Sequence, residues 1–207
     1  MREVHIMASS ASARYALSFT SGALLLREAL IAAPIYLQER DWAKVRTRIA
    51  EDNLLQTRTR SSGARLGREV AQRLAALSVD EIELFLDATP TERGQLMWVA
   101  ACRRYALIGE FAEEVLRERF LVLAHTLDYD DFDSFIRSKA LWHEEVVDLK
   151  ESTLIKLRAT VFRMLAEAGL LSDGRIVPAV LSARVAERLD ARVPSDVRFF
   201  PTDGGLA

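Results

Sequence analysis

Four arginines, Arg58, Arg60, Arg65 and Arg68, fall within eleven residues that contain no Asp or Glu, interleaved with Thr59, Ser61 and Ser62. Guanidinium forks and small hydroxyls hold phosphate oxygens, and arginine also pairs with guanine edges in a DNA major groove. The same pattern also suits a plain solvated face. A second set, Thr153, Lys156, Thr160 and Arg163, recurs at helical spacing, opposite Leu154, Leu157, Val161 and Leu165. A recognition helix carries its base and phosphate contacts on such a strip, although winged helices also dock proteins. Together these eight residues are the candidate nucleic-acid-binding set.

The elements that must position the first set read as three helices joined by short turns. A helix from about Ala23 to Leu37 takes its apolar face from Leu24, Leu25, Leu30, Ile31 and Ile35, with Pro34 expected to kink it near its end. Asp41 caps a short helix through Trp42, Val45 and Ile49. A turn from Asn53 to Gly63 leads into a helix from about Ser62 to Ala76. There Leu66, Val70 and Leu74 face inward, and Arg65, Arg68 and Gln72 face outward. Three helices with a basic third one follow the helix-turn-helix plan.

The second set is positioned by a helix from Ser152 to Ala168, stopped by Gly169. Leu170-Leu171 and Arg175-Ile176-Val177 then flank an Asp173-Gly174 turn, which predicts a β-hairpin between Leu170 and Val177. A helix running straight into a tight hairpin is the winged-helix order. Ser182 to Leu189 reads as one more helix, and Arg198-Phe199-Phe200 as a strand before a Gly-rich tail.

Between these ends lies a scaffold. Ser78 with Glu81, and Thr89 with Glu92 and Pro90, are helix starts of the capping-box type. Residues 95–102 carry no charge, which predicts a helix covered on several sides. Apolar positions continue at Ile108, Phe111, Ala112, Val115, Leu116, Phe120 and Leu123, with Gly109 permitting a kink or a close crossing. Asp128 opens a helix with Phe132, Phe135, Ile136 and Ala140 on one face, and a short helix and turn follow between Leu141 and Lys150. The predicted architecture is therefore mainly α. Two winged-helix or helix-turn-helix-like lobes, residues 1–77 and 148–207, pack on a central helical scaffold, residues 78–147, with a small C-terminal β-hairpin.

Charge separates the same three parts. Residues 1–77 hold 12 Lys/Arg against 7 Asp/Glu, residues 78–135 hold 5 against 13, and residues 136–207 hold 11 against 10. The net charge of −2 thus conceals a basic N-terminal part. The lone Cys102 sits in the most apolar run, as a buried thiol in a reducing compartment would. Residues 1–14 are small and polar, with an expectation of poor order and no signal-peptide core. The longest uncharged run, Tyr15 to Leu26, is too short for a membrane span, so a cytoplasmic protein is expected.

No catalytic or cofactor chemistry is predicted. His5, His125 and His143 are far apart, and His143-Glu144-Glu145-Val146-Val147 lacks the second histidine of a zinc-protease helix. Asp128, Asp130, Asp131 and Asp133 resemble a calcium loop, but Asp133 fills its glycine position and Lys139 its final glutamate position. No phosphate-binding Gly loop, nucleophile elbow or Cys-x-x-Cys is present.

Several stretches resemble the BrxA family of bacterial BREX phage-defence systems. They are Tyr15, residues 18–25 (Ser18 to Leu25), residues 53–56 (Asn53 to Gln56) with Arg58, Glu151-Ser152-Thr153, Lys156-Leu157-Arg158, Val161-Phe162 and residues 165–169 (Leu165 to Gly169). They run in order along nearly the whole chain. The resemblance implies a small accessory protein without known enzymatic activity, built of helical, winged-helix-like lobes and able to bind double-stranded DNA. Some members are likened to RNA-binding antitermination proteins, and the family also carries an inner-membrane label that the short apolar runs here oppose. The expected partners are double-stranded DNA and other phage-defence proteins. The alternatives are a protein-docking scaffold within the defence complex and an antitermination-like RNA binder.

Overall fold

The computed structural model describes residues 14–19 and 22–203. The expectations for residues 1–13 (His5 among them) and for the last four residues lie outside the described residues, as do Thr20 and Ser21 of the family-resembling stretch. The chain is mainly α-helical, and its small antiparallel sheet lies near the C-terminus.

Gly22 (φ 77°) and Leu25 (φ 61°) bend the backbone through the left-handed region before α1, Leu26–Glu39, begins. The helix therefore starts three residues later than the apolar pattern indicates, and Leu24 and Leu25 are buried ahead of it. Its core face is made of Ala29, Ala32, Ala33 and Ile35, while Leu30 is exposed. Alanines win that face because α1 packs closely on α2, α3 and α4. Pro34 lies inside α1, which continues past it to Glu39. Asp41 caps α2, Trp42–Glu51, by accepting from the Ala43 amide at 2.6 Å. Thr59 caps α3, Arg60–Leu74, through the Ser62 amide at 3.2 Å. Gly67 lets α2 and α3 approach, since a Cβ there would meet Ile49 Cγ2 at 3.0 Å.

The helix α4, Val79–Asp87, and the helix α5, Pro90–Arg104, each begin with the expected capping box. Every residue from Gly94 to Cys102 is buried, and Trp98 donates its indole N–H to the Phe199 carbonyl at 2.9 Å. The extended backbone of Tyr105 separates α5 from α6, Ala106–Phe111. The break thus falls at Tyr105, and Gly109 supplies the close crossing: a Cβ there would meet the Cys102 carbonyl oxygen at 3.0 Å. A π-helical stretch, Ala112–Arg117, leads into α7, Glu118–Leu121. Leu123 is then exposed at φ 61°, beyond the helix, so it leaves the apolar series in which its spacing placed it. Asp128 caps α8, Tyr129–Lys139, which buries Phe132, Phe135 and Ile136, and α9, Glu144–Val147, follows.

The C-terminal part follows its local signals closely. After α10, Glu151–Glu167, Gly169 (φ 71°) takes the left-handed position. The Leu170 amide then reaches the Leu165 carbonyl at 2.9 Å and the Gly169 amide reaches Ala166 at 3.0 Å, a Schellman stop. The strands β1, Leu171–Ser172, and β2, Arg175–Ile176, pair antiparallel. Asp173 (φ 50°) and Gly174 (φ 73°) both have the positive φ that a type I′ turn demands. Residues 125–127 cover the outer edge of β2: Ile176 N–H donates to His125 O, and Leu127 N–H to Gly174 O, both at 2.9 Å. After α11, Ala183–Asp190, residues Asp196–Phe199 form a 3-10 turn where a strand over Arg198-Phe199-Phe200 was expected. Phe199 and Phe200 are buried, and the Phe199 carbonyl is taken by Trp98 rather than by a neighbouring strand.

Candidate nucleic-acid interface

The loop before α3 is shaped by short polar side chains. Asn53 Oδ1 accepts from the Thr57 amide at 3.1 Å, and the Thr57 hydroxyl lies within donating reach of both Asn53 Oδ1, at 3.3 Å, and the Thr59 carbonyl, at 3.0 Å. Arg58 leaves this loop, Arg60 is the first residue of α3, and Arg65 and Arg68 follow on its outer side. All four are exposed, and none has an ion-pair or hydrogen-bond partner among the described residues. Opposite them Val70 and Leu74 are buried and Leu66 is half-buried.

Several other arginines are held by carboxylates. Arg73, although on α3, is fully buried and pairs with Glu69, at 3.0 Å from its Nε and 2.9 Å from its Nη2. It also donates to the Ala23 carbonyl, and the Tyr105 hydroxyl donates to the same Glu69 oxygen at 2.5 Å. Burial, reinforced by the Glu69 hydrogen bond, pushes the Tyr105 phenol up to about 12, so it stays a neutral donor. This network orients α3 against α5 and the N-terminal segment, and it withdraws one cation from the basic count of residues 1–77. Arg103 bridges Glu81 and Asp196, and Arg158 pairs with Asp133.

The second strip is only partly presented. Lys156 and Arg163 are exposed and unpaired among the described residues, and Thr153 is half-buried. Thr160, expected on the outer face, is 4% exposed. It shares the buried stripe of Leu157, Val161 and Met164, because α10 is covered by α5 and α8 and its inward arc is wider than its leucines alone indicate. Ile155, by contrast, is half-exposed beside Lys156. Both α3 and α10 rest on α5, which holds the two basic surfaces in one framework.

Arg104, the last residue of α5, also reaches the α3 surface, although its sequence position did not single it out. Gln72 accepts from Arg104 Nη2 at 3.1 Å, and the Arg104 guanidinium lies 5.0 Å from the Tyr105 ring centroid. The sequence signal was the position of Gln72, seven residues after Arg65 and four after Arg68; what touches it comes from another helix. Cys102 is buried, and burial pushes its thiol well up, so it remains protonated. Among the described residues no group of His, Cys, Asp and Glu is arranged to hold a metal ion, and no helix is long and apolar enough to cross a membrane.

Fold and site together define a mainly helical protein with an arginine face on its third helix that is unpaired among the described residues, and a short hairpin after its longest helix. The BrxA family model matches residues 13–193, and the chain belongs to that family, which serves BREX phage-defence systems. It is 24% identical over 154 residues to the BREX protein BrxA of Escherichia coli O9:H4 (strain HS), covering 74% of this chain and 72% of that one. It is 25% identical over 165 residues to the BREX protein BrxA of Paramagnetospirillum magneticum, covering 80% and 83%. The crystal structure of an uncharacterized protein from Magnetospirillum magneticum has the same fold, with a TM-score of 0.76 at 24% identity over 90% of this chain and 97% of that one.

Proposed function

We propose that this BrxA-family chain is a non-enzymatic, cytoplasmic accessory protein that binds double-stranded DNA through α3, with α10 as a second contact element. The observation that carries the reading is the contrast in pairing. Arg58, Arg60, Arg65 and Arg68 are exposed and have no partner among the described residues, whereas Arg73, Arg103, Arg158 and Arg184 are held by carboxylates. The order α8, α9, α10, hairpin supports a winged-helix reading of the C-terminal part, with Thr153, Lys156 and Arg163 as the remaining outward contacts of α10.

Neutralising phosphates releases condensed counterions, so log affinity falls with log salt at roughly −0.9 per contact. Arg65→Ala with Arg68→Ala is therefore expected to weaken duplex binding and flatten that slope by up to roughly two units, with little change in stability. A folded double mutant with unchanged affinity and slope would remove α3 from the DNA site. Docking of other defence proteins is the second reading, favoured by Leu141, Trp142 and Val147, which are 77%, 81% and 64% exposed. It predicts little duplex binding at any salt, and capture of a defence-system partner that Trp142→Ala abolishes. An antitermination-like RNA binder would instead prefer structured RNA over duplex DNA in direct competition.

A further inference from the structure

We infer that Arg104 of α5 is a further phosphate-contacting residue, extending the arginine face of α3 across to the neighbouring helix; this rests on the DNA-binding reading above. Residues three, four and seven apart share one helix face, so Arg65, Arg68 and Gln72 lie in a row spanning about 10 Å at 1.5 Å rise per residue. Gln72 ends that row and accepts from Arg104 Nη2 at 3.1 Å. The Arg104 guanidinium is thereby placed about one helical turn beyond Arg68 on the same surface. Its Cζ also lies over the Tyr105 ring, 5.0 Å from the centroid.

Arg104 is partly exposed, and no carboxylate lies within ion-pair reach of it among the described residues. Its neighbour Arg103 shows what this part of the protein does with a cation meant for the interior: it meets Glu81 at 2.6 Å and Asp196 at 2.7 Å. Arg104 has instead a neutral amide and an aromatic face. Those contacts restrict the side chain while leaving its charge uncompensated, and a stacked guanidinium keeps donors free for an incoming oxyanion. Glu69, the nearby acid on α3, is occupied by Arg73 and the Tyr105 hydroxyl, so it does not cancel the row. The surface therefore consists of Arg65, Arg68 and Arg104, with Gln72 as the residue that positions the third cation.

Arg104→Gln is expected to lower duplex affinity and to flatten the log-affinity against log-salt slope by roughly 0.9, the release expected for one phosphate contact. Arg104→Lys keeps the charge and is expected to restore most of that slope. Arg137→Ala on α8, which removes a cation bonded to Ser134 and to no carboxylate among the described residues, should leave the slope at the wild-type value. In the unmutated protein, duplex DNA should protect Arg104, but not Arg137, from a dicarbonyl reagent that modifies guanidinium groups, read by peptide mass spectrometry. This second measurement does not depend on any variant folding. If the Arg65/Arg68 double mutant flattens the slope while folded Arg104→Gln does not, or if the duplex leaves Arg104 modification unchanged, the inference about Arg104 is overturned and the α3 reading stands. A wild-type protein that binds no duplex at low salt overturns both.

Discussion

Arg103 joins three distant parts of the chain, and its removal has a calculable cost. Its Nη1 and Nη2 reach the two Glu81 carboxylate oxygens at 2.7 and 2.6 Å, its Nε reaches Asp196 at 2.8 Å, and Nη1 also meets the Ala76 carbonyl at 3.1 Å. The side chains of Arg103, Glu81 and Asp196 are 7%, 4% and 3% exposed. Burial works against charge on Arg103, but the Glu81 and Asp196 contacts outweigh it and raise its affinity for the proton; burial likewise opposes the Glu81 charge, and Arg103 still holds that carboxyl below its usual range. Breaking such a buried group by removing one partner typically costs about 3–5 kcal/mol. Arg192 and Arg198 stand 3.9 and 3.7 Å from Asp196 and soften its loss, which favours the lower end. At about 2–4 °C per kcal/mol for a chain of this size, a cost of about 3–4 kcal/mol means that Arg103→Met should lower Tm by roughly 6–16 °C at pH 7. In wild type, the depressed Glu81 carboxyl stabilises the fold fully above about 4.5 and loses that contribution only as pH falls lower. In the variant, buried Glu81 loses the guanidinium that held its carboxyl down, so its pKa should rise, the folded state takes up a proton more readily and the penalty should shrink between pH 7 and pH 5. Thermal melts followed by circular dichroism at both pH values test this, alongside the triple variant Arg103→Met, Glu81→Gln, Asp196→Asn. The triple variant should recover part of the loss, because no buried charge is left unpaired. A drop under about 1 kcal/mol, or an equal drop at both pH values, would refute the reasoning.

Met97 is fully buried in the middle of α5, so Met97→Ala should cost about 2–5 kcal/mol and lower the melting temperature clearly; an unchanged Tm would show that α5 is not central to the core. Glu92 accepts from Arg184 Nε at 2.8 Å and Nη2 at 2.5 Å, and this pairing, with the Ser182 hydroxyl, holds its carboxyl far below the usual range. That stabilisation is present above about 4.5 and is lost as pH falls, so the Tm gap between wild type and Glu92→Gln should be largest near neutral pH and close in acid; a gap that widens in acid would contradict the assignment.

What could be read from the sequence was whatever a few neighbouring residues decide by themselves. Ser78 with Glu81, Thr89 with Glu92, Asp41 and Asp128 set helix starts, and Gly169 with Asp173-Gly174 set the stop and the hairpin. Each of these works through backbone groups within about four residues, so nothing distant can override it cheaply. Thr160 shows where this fails. Its type and its spacing with Thr153, Lys156 and Arg163 both indicate an outer face, but coverage of α10 by both α5 and α8 widens the inner arc until it takes Thr160 in. Leu123 and Leu30 fail in the opposite sense, with apolar residues left exposed by a helix end and by a face built of alanines.

Charge was the hardest property to read, because a count of arginines does not say where each one points. Arg73 and Arg103 have the same composition value as Arg65 and Arg104, yet Glu69, Glu81 and Asp196 turn the first two into internal ties. Those partners lie 4, 22 and 93 residues away, and the longer separations carry no local pattern. Burying an unpaired guanidinium is costly, so the interior selects the arginines that have carboxylate partners and leaves the others at the surface. The four arginines between Arg58 and Arg68 belong to that remainder for a reason visible in the sequence: no acid lies among them, and Glu69, the first acid to follow, is claimed by Arg73. Their availability to a polyanion is thus a consequence of how the core neutralises its own charges. A substitution that frees Glu69, such as Arg73→Met, would place a competing carboxylate behind the very face proposed to meet DNA.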